Sequence, residues 1–157
     1  MSVERVRVFN QRLVDAPADK VWAYLTDWAG TRRSRRAGGM GELTLSKIIL
    51  EGDENAIPRT RVMKFGAFGV VRETLLHQDD SAMHLYYNIE GIGPHGIRNY
   101  LATTDVDPVG DNHCQITITA RFDIEDGAEL VKAKALIDFA HNQAVIGAVR
   151  AYFAPSG

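Results

Sequence analysis

Cysteine is nearly absent: Cys114 is the only one in a chain of 157 residues. A lone thiol excludes an internal disulfide and a cysteine-built metal site. Long apolar runs are also missing. No stretch approaches the ~18 apolar residues of a membrane-spanning helix, and Met1-Ser2-Val3-Glu4-Arg5 lacks the apolar core of a secretion signal. Neither sign of charge dominates. The formal net charge of -2 gives no reason to expect nucleic acid or an anionic membrane as partner. Repeats, linkers and low-complexity tracts are absent too. What is present is an ordinary globular composition, 45% hydrophobic and 24% charged, in a length that suits one domain over residues 1–157. A cytoplasmic location is the expectation, and homo-oligomerisation is left open.

The pattern along the chain is mostly that of strands. Residues 3–14 alternate as a strand, with a switch of face expected near Gln11 and Leu13. Asp15-Ala16-Pro17-Ala18-Asp19 then opens a short helix, with Pro17 suited to its first position and Asp19 to its first turn. Val21, Trp22 and Leu25 supply the apolar stripe, and the helix is expected to end near Trp28-Ala29-Gly30. Residues 31–41, with four arginines and three glycines, read as a loop. Strand signals follow over residues 43–50, 59–65, 70–77, 83–90, 97–107 and 114–123. The connections between them are short and rich in Gly, Asp and Pro, so neighbouring strands are expected to pair antiparallel as hairpins.

After residue 125 the period changes. Asp126-Gly127-Ala128-Glu129 has the spacing of a capping box, and a helical pattern runs from there to about Phe153, stopped by Pro155. Such a helix would span ~40 Å, enough to cross a whole sheet. Ala133, Ala140, Ala144, Ala148 and Ala151 read as one stripe with Gly147 beside it. Two readings stay open there: close packing of helix on sheet, or room left for a ligand beneath a curved sheet. The fold class is α+β, a curved antiparallel sheet wrapped around one long C-terminal helix.

Several motifs carry no chemistry. Gly91-Ile92-Gly93-Pro94-His95-Gly96 matches G-x-G-x-x-G, but a dinucleotide site needs a helix to start there, and a β-branched, aromatic strand follows instead. The five histidines show neither H-x-H nor H-E-x-x-H spacing, so no metal site is expected. Cys114 is in phase with Ile116, Ile118, Ala120 and Phe122, the place of a small buried hydrophobe. Nothing calls for a cofactor. Arg32-Arg33-Ser34-Arg35-Arg36 reads as a solvated loop or as a contact for a phosphate or acidic partner, with no interleaved aromatic to stack a base.

Three segments together resemble a known family. Asp15-Ala16-Pro17-Ala18-Asp19-Lys20-Val21-Trp22 resembles the opening of the START/Bet v 1-like superfamily, in its polyketide cyclase/dehydrase and lipid transport branch. Val71-Arg72-Glu73-Thr74-Leu75 with Asp79-Asp80 resembles the second signature. Asn99-Tyr100-Leu101-Ala102-Thr103-Thr104, ending in Val106-Asp107-Pro108, resembles the third. The plant abscisic acid receptors share the last two. The resemblance implies a helix-grip fold: a seven-stranded curved antiparallel sheet, two short helices at one end, and a long C-terminal helix enclosing a cavity. The chain departs from the family at residues 31–39, where an aromatic–Pro segment is usual.

Strand parity nominates the lining. If Met63 and Phe65 face inward, so does Arg61; if Val71 and Leu75 do, so does Glu73. Two readings stay open for them: an Arg61–Glu73 ion pair that only satisfies the interior, or polar anchors for a ligand oxygen. Tyr87 lies on the face of Leu85 and Ile89, and Tyr100 on that of Ala102 and Val106, with Arg98 placed near the rim. The family positions of Glu73 and Tyr100 also point into the pocket. By resemblance the loops at Gly66-Ala67-Phe68-Gly69 and Gly93-Pro94-His95-Gly96 flank its mouth, and His95 matches a latch histidine. The candidate ligand-binding residues are thus Arg61, Met63, Glu73, Tyr87, His95, Arg98 and Tyr100, with Ala140 and Ala144 from the helix. Three uses are open for such a pocket. One is binding or transport of a hydrophobic small molecule, such as a lipid, isoprenoid or polyketide. Another is a cyclase or dehydratase with Glu73 as catalytic acid/base, and a third is ligand-gated regulation.

Overall fold

The computed structural model describes residues 3–30, 45–65 and 69–155. Seven strands form one antiparallel sheet in the order β1-β7-β6-β5-β4-β3-β2. They are β1 (Glu4–Val14), β2 (Leu45–Glu51), β3 (Arg59–Phe65), β4 (Gly69–Asp79), β5 (His84–Ile89), β6 (Arg98–Pro108) and β7 (Cys114–Ile124). Helix α1 (Ala18–Leu25) follows β1. The C-terminal helix runs continuously for 27 residues. It comprises a 3₁₀ turn (Gly127–Glu129), α2 (Leu130–Phe139), a π-helical segment (Ala140–Gly147) and α3 (Ala148–Phe153). Among the described residues no helix is long and apolar enough to cross a membrane. The expected second short helix, the arginine-rich loop and residues 66–68 of the first mouth loop lie outside the described residues.

Alternation does the work in the sheet. On β7, Cys114, Ile116, Ile118, Ala120 and Phe122 are each 0–1% exposed, and they meet Val6, Val8 and Val14 of β1 in the core. The expected switch of face on β1 does not occur. Its pairing with β7 runs from Glu4↔Ile124 to Val14↔Cys114 without a shift, so parity is kept, Leu13 points to solvent and Asn10 is buried. Only a bulge would have reversed it.

The helix boundaries also differ from expectation. Pro17 is extended (ψ 143°) and occupies the N-cap, where its carbonyl accepts from Val21 N–H at 3.1 Å. The helix stops at Leu25, where the Thr26 hydroxyl donates to the Trp22 carbonyl at 2.8 Å. Trp28 therefore lies beyond the helix, in a turn, yet is buried. At the C-terminal helix, Asp126 accepts from Ala128 N–H as a cap. The capping box is only half made, because the Glu129 carboxylate pairs across the molecule with His95 Nδ1 at 3.0 Å.

The alanine stripe is the larger correction. The buried positions of the helix are Ala133, Ile137, His141, Ile146 and Val149. Spacing is four residues up to His141 and five from His141 to Ile146, because the intervening turn is π-helical. That extra residue rotates the packed face off the alanines. Ala140, Ala144 and Ala148 are half-buried at its margin, and Ala151 is exposed.

Candidate functional site

Register brings the predicted polar residues into one row. Arg61 of β3 faces Glu73 of β4, Leu75 beside it faces Tyr87 of β5, and Tyr87 faces Ala102 of β6. All these side chains point to the inner face, with Met63 and Val71 packed next to the charged pair. Tyr100 joins them by simple alternation, in phase with Ala102, Thr104 and Val106, and a bulge lies just before it. The β6–β7 register shifts between Arg98 and Leu101, where Asn99 takes φ 53° and its Nδ2 donates to Asp123 Oδ2 at 2.8 Å. Asparagine tolerates that left-handed backbone better than most residues. Asn99 and Arg5 together hold the Asp123 carboxyl below the usual carboxylate range.

The same bulge removes Arg98 from the row. Simple alternation puts it on the face of Tyr100, but the broken parity turns it outward, exposed and 3.6 Å from Glu125. His95 is not in the row either. It is half-buried with φ 58°, and its link to Glu129 ties the β5–β6 connection to the start of the long helix. The last three residues of the glycine motif form a short 3₁₀ turn (Pro94–Gly96) and β6 follows, so no α-helix begins there to meet a dinucleotide.

Arg61 and Glu73 form a buried ion pair. Arg61 Nε and Nη2 both donate to Glu73 Oε2, at 3.1 and 2.7 Å. The guanidinium carbon lies 3.6 Å from the centroid of the Trp28 ring, and Trp28 meets Tyr87 edge-on at 5.6 Å. Such a stacked cation gains roughly 0.5–2 kcal/mol. Among the described residues Arg61 Nη1 is buried with no hydrogen-bond partner, and so is Trp28 Nε1. Trp28 also lines an open cleft of about 430 Å³ shared with Asp27, Leu50, Glu54, Arg59 and Asp80.

At the other end of the row, the Tyr100 hydroxyl is 2.7 Å from His141 Nε2 on the helix. Tyr87 also hydrogen-bonds that hydroxyl. Burial above all, then the nearby oxygens of Tyr87 and Glu73, hold the phenol well above its ordinary pKa. Burial lowers His141 to about 4, against a smaller opposing pull from Asp138. The imidazole is therefore neutral at pH 7, and its Nδ1 is buried without a hydrogen-bond partner among the described residues. Asp138 in turn accepts from the buried Asn10 of β1 at 3.1 Å.

Three site residues escape sequence reasoning: His141, Trp28 and Asn10. His141 was legible, because it continues the four-residue spacing of Ala133 and Ile137. Asn10 needed the unbroken parity of β1. Trp28 gave no signal beyond its size, since its contact with Arg61 crosses elements distant in sequence.

Comparison with known proteins agrees with this architecture. A protein from Thermobifida fusca is 26% identical, with 93% of this chain and 92% of that one covered and a TM-score of 0.73. Norcoclaurine synthase from Thalictrum flavum is 16% identical over 100% of this chain and 98% of its own, with a TM-score of 0.76. The di-domain ARO/CYC BexL is 16% identical, with 94% of this chain matching 46% of that one at a TM-score of 0.71. No curated protein matches the sequence. The family described as polyketide cyclase / dehydrase and lipid transport matches residues 5–153. The chain belongs to that family, and its fold is the Bet v 1-like, hydrophobic ligand-binding one.

Proposed function

We propose that the protein binds a hydrophobic small molecule between the sheet and the C-terminal helix, with Arg61 as the polar anchor. One observation carries this: among the described residues Arg61 Nη1 is a buried donor with no hydrogen-bond partner, on an inner face whose polar side chains (Glu73, Tyr100 and His141 beside it) are few among apolar ones. An unsatisfied buried group destabilises a fold by about 1–3 kcal/mol, more when charged. A ligand oxygen would remove that deficit. Met63, Tyr87 and Tyr100 supply apolar surface around it, as ligand sites usually do. Norcoclaurine synthase of the same fold has been solved in complex with two small aromatic molecules, dopamine and hydroxybenzaldehyde.

Acid/base use of Glu73, as in a cyclase or dehydratase, has less behind it. Glu73 Oε2 already accepts two hydrogen bonds from Arg61, and the pair would have to part before that oxygen exchanged a proton. The test is chemical-shift mapping with a fatty acid, an isoprenoid alcohol and a phenolic polyketide. Perturbations centred on Arg61, Glu73, Tyr87 and Tyr100 support the reading. Shifts confined to the outer sheet face, or none with any compound, would overturn it.

A further inference from the structure

His141 is out of keeping with the face that carries it. Its neighbours on the packed side of the helix are Ala133, Ile137, Ile146 and Val149, yet His141 is as buried as they are, at 2% exposed. Leucine at this position would fill the space without desolvating two nitrogens. Instead Nε2 meets the Tyr100 hydroxyl at 2.7 Å, while Nδ1 is left buried and unpaired among the described residues. The helix widens here into the π segment Ala140–Gly147, a distortion frequent at functional sites. Ala140 and Ala144, both half-buried, put only methyl groups on either side of the ring's turn.

The chemistry of the unpaired nitrogen narrows what could meet it. In a neutral imidazole one nitrogen donates and the other accepts. If Tyr100 donates to Nε2, Nδ1 carries the proton and needs an acceptor. If Nε2 donates to Tyr100, Nδ1 is bare and needs a donor. A hydroxyl can do either, so it satisfies both tautomers. A carboxylate satisfies one and brings a charge that burial opposes, and an ammonium has the same fault with the other tautomer.

We infer that His141 Nδ1 is the contact for a neutral hydroxyl, phenolic or alcoholic, on the ligand. This rests on the binding reading above and sharpens it to a ligand class. The molecule is an apolar skeleton with an acceptor oxygen for Arg61 at one end and a hydroxyl for His141 at the other.

The probes are hydroxynaphthoate, methoxynaphthoate and unsubstituted naphthoate, titrated calorimetrically into the wild-type protein and into His141→Leu. The wild type should bind hydroxynaphthoate about tenfold more tightly than unsubstituted naphthoate, the effect of one net hydrogen bond. It should also bind it more tightly than methoxynaphthoate, whose oxygen can accept from Nδ1–H but never donate to it. His141→Leu should lose that preference while still binding naphthoate. In the wild type, hydroxynaphthoate should also move the ¹⁵N resonance of His141 Nδ1, a readout that needs no variant to fold. Equal binding of the three probes with an unmoved Nδ1 resonance overturns the hydroxyl assignment and leaves the binding reading standing. Binding of none of them by the wild type overturns both.

Discussion

Replacing Arg61 with methionine should destabilise the protein severely, and the structure says why. The Arg61 and Glu73 side chains are 5% and 11% exposed, so the pair lies almost wholly out of water. Arg61→Met keeps the packing volume but strips Glu73 of both its donors and Trp28 of its stacked cation. Removing one partner of a buried ion pair costs about 3–5 kcal/mol, and the lost cation–π contact adds roughly 0.5–2 kcal/mol. A loss near 4 kcal/mol would lower Tm by roughly 8–16 °C in a domain of this size. The assay is urea unfolding followed by tryptophan fluorescence, for Arg61→Met, Glu73→Gln and the double variant. The double variant should recover most of the loss, because no unpaired charge remains. A single-variant loss under about 1 kcal/mol, or a double-variant loss equal to the sum of the singles, would refute the buried, coupled pair.

Three further outcomes follow from particular groups. His141 titrates near 4 in the folded protein against about 6.5 unfolded, so the unfolded chain binds the extra proton between those values. Its contribution is complete above pH 6.5 and is lost as pH falls toward 4, about 3 kcal/mol in all; His141→Gln should flatten the unfolding free energy across that window, and an unchanged slope would contradict the burial. The Cys114 thiol is fully buried and pushed up to about 11 by desolvation, so a thiol reagent at neutral pH should label it only on unfolding; rapid labelling of the native protein would count against the core register. Asp126→Ala should destabilise the protein by about 1 kcal/mol through loss of the helix cap, measured by urea unfolding. A neutral result would place the helix start elsewhere.

The sheet was legible because its signal is local. Period-two alternation with short connections fixes the antiparallel order, and all six strands read after the first helix are found within a few residues of their expected limits. Arg61, Glu73, Tyr87 and Tyr100 were likewise readable from parity. Where parity was applied across a defect it failed, as Arg98 shows, since the bulge at Asn99 leaves no mark in an alternation count. The helix failed for the same physical reason. A period of 3.6 residues, extended through Ala140 and Ala144, has no way to register the π turn that brings Ile146 inward. Trp28 over Arg61 and Glu129 on His95 are contacts between distant elements, and local patterning carries no information about them.

Native mass spectrometry tests the central claim most directly. The protein, incubated with an apolar cell extract and exchanged into volatile buffer, should carry one tightly held small molecule that denaturation releases. The released compound should be apolar, with an acceptor oxygen and a hydroxyl at separate ends. A single ligand-free mass after that incubation, with the protein folded, would contradict the account.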